Sequence, residues 1–205
     1  MHKFTAIPVH KIPKPIGVHA IRTIMQKVFV YGTLKRNQPN NYWLQDPNNG
    51  VGNFLADGYT KTKYPLIIAT KYNVPFLLHS PGNGHFVQGK YHHFICEIYD
   101  VDEKMLGKLD ILEDHPNYYV REIDDIVVKN TLSKHSQTEK CWVYFLKNFK
   151  PELLQRPFYD NYDSLGSHGL QYMDRSKRDP KYNHKSEIKS NPSNYVRSDP
   201  EPTPP

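Results

Sequence analysis

Cysteine is scarce in this chain of 205 residues: Cys96 and Cys141 are the only two, and neither belongs to a CxxC pair. That excludes a disulfide framework and a cysteine-based zinc site, and it points to a reducing compartment. Long apolar runs are missing as well. No stretch of about 18 apolar residues is present to span a bilayer, and no shorter apolar segment of roughly 7 to 15 residues stands near the start as in a signal peptide. Acidic residues are absent from 1 to 27, which carry five Lys or Arg; residues 28 to 173 carry 15 basic and 16 acidic side chains, and 174 to 205 carry seven and five. The net charge of +6 therefore belongs to the ends. A near-neutral centre lacks the broad basic face that neutralises phosphates, so neither nucleic acid nor a membrane is an expected partner.

What is present is one concentrated core. The length suits a single domain with tails, and the expected division is a disordered basic extension over 1–27, a folded domain over 28–173, and a disordered tail over 174–205, where charge and proline dominate. The extension has the charge of a mitochondrial presequence, but Pro8, Pro13 and Pro15 oppose an amphipathic helix there. A cytoplasmic monomer is expected, and Met25 would serve as a shorter start.

Within the core, VFVY at 28–31 reads as a buried strand stopped by Gly32. Residues 35–53 read as a long loop with one helical turn at Tyr42 to Leu44. YPLIIA at 64–69 and VPFLLH at 74–79 are strand candidates. The stretch 86–101 is strand-like with a bulge at Gly89. Asp102 is placed to cap a helix in which Met105, Leu106, Leu109 and Leu112 recur at helical spacing, ending before Pro116. Two more strands follow at 118–129 and 140–147. Mostly contiguous strands with one helix predict an α+β fold, an antiparallel or mixed barrel-like sheet with one main packed helix.

Two features carry candidate chemistry. The YGTL turn at 31–34 exposes consecutive backbone N–H groups that can hold a carboxylate or an oxyanion. Glu97 sits in the apolar strand ICEIY, on the face opposite Cys96 and Ile98; a carboxylate so placed is either a desolvated proton carrier or an outward polar residue. Histidines 92 and 93 point to opposite faces of any strand and do not suit a shared metal. Asp110, Glu113 and Asp114 read as the solvated face of the helix. Tyr118, Tyr119 and Arg121 read as core packing or cavity lining, and His168 as a turn residue.

The stretch VFVYGTLKRNQPN at 28–40 resembles the opening signature of the gamma-glutamyl cyclotransferase-like family, in particular its gamma-glutamylamine branch. YPLIIA, VPFLLHSPGNGHFVQG, EIYDVDEKMLGKLDILEDHPNYYVRE and DNYDSLGSHGLQYM continue the resemblance in order through 173. It implies a barrel-like domain that closes gamma-glutamyl amines into 5-oxoproline without metal or other cofactor. It also implies a small gamma-glutamyl substrate held by Tyr31, Gly32, Thr33 and Leu34, and one catalytic glutamate ahead of an aliphatic-aromatic pair and a helix-capping acid, which falls on Glu97. The relatives place that glutamate directly after a glycine, whereas Lys90 to Cys96 separate Gly89 from Glu97 here. An insertion at 90–96 admits a rival reading, a small-molecule-binding protein on the same fold that has lost turnover. Partner capture by the two tails is a third.

Overall fold

The computed structural model describes residues 24–84, 96–129 and 137–190. The expectations for 1–23, for the strand and bulge over 86–95 with the two histidines, and for the chain beyond 190 lie outside them. Five strands close into a barrel: β1 Gln26–Val30, β2 Gly52–Thr60, β5 Cys96–Val101, β6 Tyr119–Val128 and β7 Gln137–Leu146, in the order β1-β5-β2-β6-β7. β3 Leu66–Ala69 and β4 Val74–Leu77 form a separate antiparallel pair. Four of the barrel's pairings are antiparallel; the closure, β1 on β7 at Val28 and Trp142, is parallel. This is the mixed barrel-like sheet that the strand pattern predicts.

Strand alternation divides the core in two. Phe29, Cys96, Ile98, Ile126, Cys141 and Val143 pack together from β1, β5, β6 and β7, filling the barrel. Val28, Val30, Tyr99 and Val101 point the other way and meet the apolar stripe of α2 Glu103–Glu113, which buries Met105, Leu106, Leu109 and Leu112. Asp102 caps α2 by accepting from the Met105 N–H at 2.8 Å, satisfying one of the donors a helix start leaves open. The other helix, α1 Tyr42–Gln45, is a single turn. Among the described residues no helix is long and apolar enough to cross a membrane.

Three features depart from the sequence reading. β2 falls where no strand is expected: Gly52, Gly58 and Asp57 weaken its pattern, and a register shift between Phe54 and Ala56 breaks its alternation. β1 begins inside the expected extension, because Lys27 pairs with Glu139 at 2.7 Å and Gln26 accepts from the Trp142 indole at 2.9 Å. Residues 174–190 are docked rather than disordered. Ile188 is 1 % exposed, its carbonyl accepts from the Lys150 N–H at 2.8 Å, and the Tyr182 ring meets Tyr72 edge-on at 5.6 Å. Two apolar anchors suffice to seat a segment whose average composition is polar.

Leu109, fully buried between helix and barrel, is the natural gauge of this packing. Leu109→Ala is expected to lower unfolding free energy by about 2–5 kcal/mol in urea titration with an unchanged slope.

Candidate active site

β1 runs into the turn at 31–34, and side chains and backbone from 35 to 41 hold that turn open. The Lys35 N–H closes it on the Gly32 carbonyl at 3.1 Å. Asn40 and Asn41, both buried, reach back: Asn40 Nδ2 donates to Thr33 Oγ1 at 2.9 Å, and Asn41 Nδ2 to the Leu34 carbonyl at 2.8 Å. Lys35 is buried with its Nζ on Asn161 Oδ1, and burial lowers its pKa. Gly32 packs so closely on β4 that a Cβ would lie 2.9 Å from Pro75 Cγ, which only glycine avoids. Among the described residues nothing accepts from the N–H groups of Gly32, Thr33 or Leu34. Consecutive backbone donors left free in this way form an anion-holding concavity.

These turn residues line a cavity of about 230 Å³, together with Glu113, Tyr118, Tyr119 and residues of the 172–185 segment. Tyr31, Gly32, Thr33 and Leu34 are thus all brought to one cavity. Glu97 is not. It is 5 % exposed, does not line the cavity, and has both oxygens engaged: Oε2 accepts from the Arg36 N–H and the Tyr99 hydroxyl, each at 2.9 Å, and Oε1 from Arg36 Nε at 2.8 Å. Asn41 continues the network, donating to Tyr99 Oη at 3.4 Å while it holds the Leu34 carbonyl. Glu97 therefore ties down the far side of the turn. Cys96, the one described residue of the insertion, sits in the barrel interior, away from the cavity lining.

The carboxylate that does line the cavity is Glu113, the last residue of α2. Burial pushes its pKa up to about 7, with the nearby Arg175 guanidinium acting in the opposite direction. The C-terminal end of a helix also carries partial negative charge, which disfavours an added anion there. Asp110, Glu113 and Asp114 do not share one solvated face. Asp110 accepts from the Tyr144 hydroxyl at 2.7 Å and pairs with Arg121 Nε at 3.0 Å, Asp114 pairs with Lys185, and Glu113 enters the cavity. Asp114 leaves the helix through left-handed backbone (φ 52°), while Asp110 and Glu113, three residues apart within it, reach different neighbours. A signal for Glu113 was available, since it follows the buried Leu109 by four residues and Leu106 by seven. Tyr118 and Tyr119 both pack and line the cavity, Arg121 lies over Trp142 at 4.4 Å, and His168 braces its turn through the Leu170 N–H at 2.9 Å.

Burial raises the pKa of a carboxylate that shares the cavity with backbone N–H groups from which no described residue accepts, an arrangement suited to moving a proton beside a held anion. Known proteins of this kind narrow the class further. A sequence model described as gamma-glutamyl cyclotransferase, AIG2-like, matches residues 28–164. Human gamma-glutamylaminecyclotransferase is 42 % identical over 75 % of this chain and all of its own length, and zebrafish gamma-glutamylaminecyclotransferase C is 42 % identical over 74 % of this chain and 95 % of its own. The crystal structure of a mouse AIG2-like protein superposes with a TM-score of 0.66 at 39 % identity, covering 75 % of this chain and 99 % of the mouse chain. The chain belongs to the AIG2-like gamma-glutamyl cyclotransferase family.

The raised pKa of Glu113 has a measurable effect on stability. Its folded-state value lies above its unfolded one, so its contribution is fully present below the unfolded pKa of 4.5 and is lost as pH rises through about 7. Glu113→Gln is expected to melt at a higher temperature than the parent at pH 8 and at the same temperature at pH 4, in paired thermal scans.

Proposed function

We propose that this chain releases 5-oxoproline and a free amine from gamma-glutamyl amines, with Glu113 as the acid-base residue and the N–H groups of Gly32, Thr33 and Leu34 as the anion cradle. The observation that carries the reading is the placing of Glu113, pKa about 7, on the same cavity as the turn.

A gamma-glutamyl amide contains its own nucleophile. Once the α-ammonium loses a proton, its nitrogen can close a five-membered lactam on the γ-carbonyl, so much of the barrier is removed by holding the folded-back conformer. Glu113 takes that proton. A base with a pKa near the working pH is ionised often enough to accept it and acidic enough to give it back. The nitrogen adds to the carbonyl carbon, the negative charge that develops on oxygen is met by backbone donors, and the old C–N bond breaks as Glu113 returns the proton to the departing amine; the ring nitrogen's second proton follows by way of Glu113, so the lactam leaves neutral and the amine as an ammonium ion. The turn's remaining donors are available to the substrate α-carboxylate. No covalent enzyme intermediate forms.

The sequence-based assignment of this role to Glu97 gives way in this proposal to Glu113, because Glu97 does not line the cavity and is held by Arg36 and Tyr99. Glu97 acts instead by fixing the turn through the Arg36 N–H. Two buried free thiols suit the reducing conditions of the cytoplasm, the compartment expected from the sequence.

The test is 5-oxoproline release from gamma-glutamyl-ε-lysine, gamma-glutamyl-alanine and glutathione across pH 5 to 9. The parent is expected to show kcat/KM rising with an apparent pKa near 7. Glu113→Gln should lower kcat by about 10²- to 10⁴-fold and remove that limb. Glu97→Gln should keep the limb at reduced rate. Loss of all turnover in Glu97→Gln with Glu113→Gln active would reverse the two roles, and a parent that releases no 5-oxoproline from any of the three would end the proposal.

A further inference from the structure

One wall of the cavity comes from outside the residues that the family model matches: Tyr172, Arg175, Arg178, His184 and Lys185 line it, and all follow residue 164. Tyr172 is fixed there from both sides. The Met173 N–H donates to the Tyr72 carbonyl at 3.0 Å, and Asn73 Nδ2 donates to the Gln171 carbonyl at 2.8 Å. The Arg178 guanidinium lies over the Tyr172 ring, 5.0 Å from its centroid.

Five tyrosines line the cavity, and the hydroxyls of four are closed to a ligand. Tyr31 donates to the Tyr144 carbonyl at 2.8 Å, Tyr119 to the Pro75 carbonyl at 3.3 Å, and Tyr144 to Asp110 Oδ1 at 2.7 Å. The Tyr118 hydroxyl is sealed from solvent. Tyr172 differs from all of them: its oxygen accepts from Asn40 Nδ2 at 3.1 Å, and among the described residues nothing accepts its hydrogen.

Asn40 joins this hydroxyl to the turn. An amide nitrogen carries two hydrogens, and Asn40 Nδ2 directs one to Tyr172 Oη and the other to Thr33 Oγ1 at 2.9 Å. Both oxygens are thereby acceptors toward Asn40, so each hydroxyl must turn its own hydrogen elsewhere, and among the described residues no acceptor meets either one. Asn40, Thr33 and Tyr172 all line the cavity, and Thr33 is only half-buried. Bonds of 2.9 and 3.1 Å from one nitrogen put the two oxygens no more than about 6 Å apart. A single carboxylate bridges two hydroxyls at that separation, since it offers two oxygens and accepts from a hydroxyl at about 2.5–2.7 Å.

We propose that Tyr172 is a further substrate-binding residue whose hydroxyl, together with that of Thr33, grips the α-carboxylate of the gamma-glutamyl group, and that Asn40 is the positioning residue that aims both. This rests on the cyclotransferase reading of the same cavity. With the α-carboxylate taken by the two hydroxyls, the N–H groups of the turn are left for the charge that develops on the γ-oxygen. The turn then separates the two anionic oxygens of the reaction by donor type, hydroxyl for the one that is charged throughout and backbone for the one that becomes charged.

The test compares gamma-glutamyl-n-butylamide with its α-carboxamide analogue, in which a neutral amide replaces the carboxylate. On the full chain, kcat/KM for the acid is expected to exceed that for the carboxamide by about 100-fold or more. Tyr172→Phe and Thr33→Val should each cut this ratio by about 10-fold, mainly through KM, because a carboxylate that stays charged is held alike in ground and transition states. Thr33→Ser, which keeps the hydroxyl, should retain the parent ratio. Asn40→Asp should abolish it, since an acceptor in place of the amide nitrogen draws both hydroxyl hydrogens to itself. Tyr172→Phe keeps the ring beneath Arg178, and its melting temperature should stay close to that of the parent. A parent ratio near one, or a Tyr172→Phe variant that slows both substrates in proportion or neither, overturns the inference. If the parent turns over neither substrate, the cyclotransferase reading has failed by itself, and calorimetric binding of 5-oxoproline and 5-oxoprolinamide then decides: tighter binding of the acid that is lost in Tyr172→Phe upholds the carboxylate site, and equal binding, or none, overturns it.

Discussion

The hydrogen-bond clamp on residues 31–41 is the constraint from which the rest of the site follows. A chain leaving β1 at Tyr31 would ordinarily satisfy its own backbone donors within a turn or a strand. Here Asn40 and Asn41 occupy the Thr33 hydroxyl and the Leu34 carbonyl, and Glu97 occupies the Arg36 N–H. Among the described residues no acceptor meets the N–H groups of Gly32, Thr33 or Leu34, all of which line the cavity. The buried Glu97 carboxylate can take this part only because Arg36 and Tyr99 compensate its charge; an unpaired carboxylate at that depth would lose more to desolvation than the turn gains. Arg36 is steadied in turn by Asp57 at 3.1 Å and by the face of Phe54 at 3.6 Å, so the clamp extends across β2.

Helix α2 supplies the other half of the site through its position. Its apolar stripe seats it on the outer face of the barrel, and its length brings its last turn to the cavity beside residues 31–34. Glu113 then stands where three influences meet: low solvation, the carbonyl end of a helix, and a guanidinium from the 172–185 segment that limits how far the first two can raise its pKa. The two glutamates are thus separated by their surroundings. One is held by Arg36 and Tyr99, the other lines the cavity.

Much of this was legible from the residues alone. Apolar runs with turn punctuation located every barrel strand except β2, and the spacing from Asp102 to Leu112 located α2 and its cap. The turn at 31–34 stood out because a strand ending in glycine must change direction. The choice of glutamate was not legible, and the reason is physical. A pattern reports which face of an element a side chain occupies, but the solvation of that face depends on what other segments bring to it. Glu97 looked anomalous because its strand is apolar, while Arg36 and Tyr99, which neutralise the anomaly, lie at other positions in the chain. Glu113 looked ordinary because charged residues at a helix end usually face water, and the segment that encloses it comes about 60 residues later in the sequence, where composition suggested no structure. β2 was lost for a related reason: two glycines and a bulge hide a strand whose existence is secured by its neighbours on both sides.

The docking of Ile188 sets an order in time. Because the Arg175 to Lys185 wall is held in place by residues near the end of the described chain, a nascent polypeptide can complete its barrel and its helix while the cavity still stands open along one side. Synthesis proceeds from the amino terminus, and domains fold as their residues emerge. In chain order the scaffold therefore precedes the wall that completes the cavity.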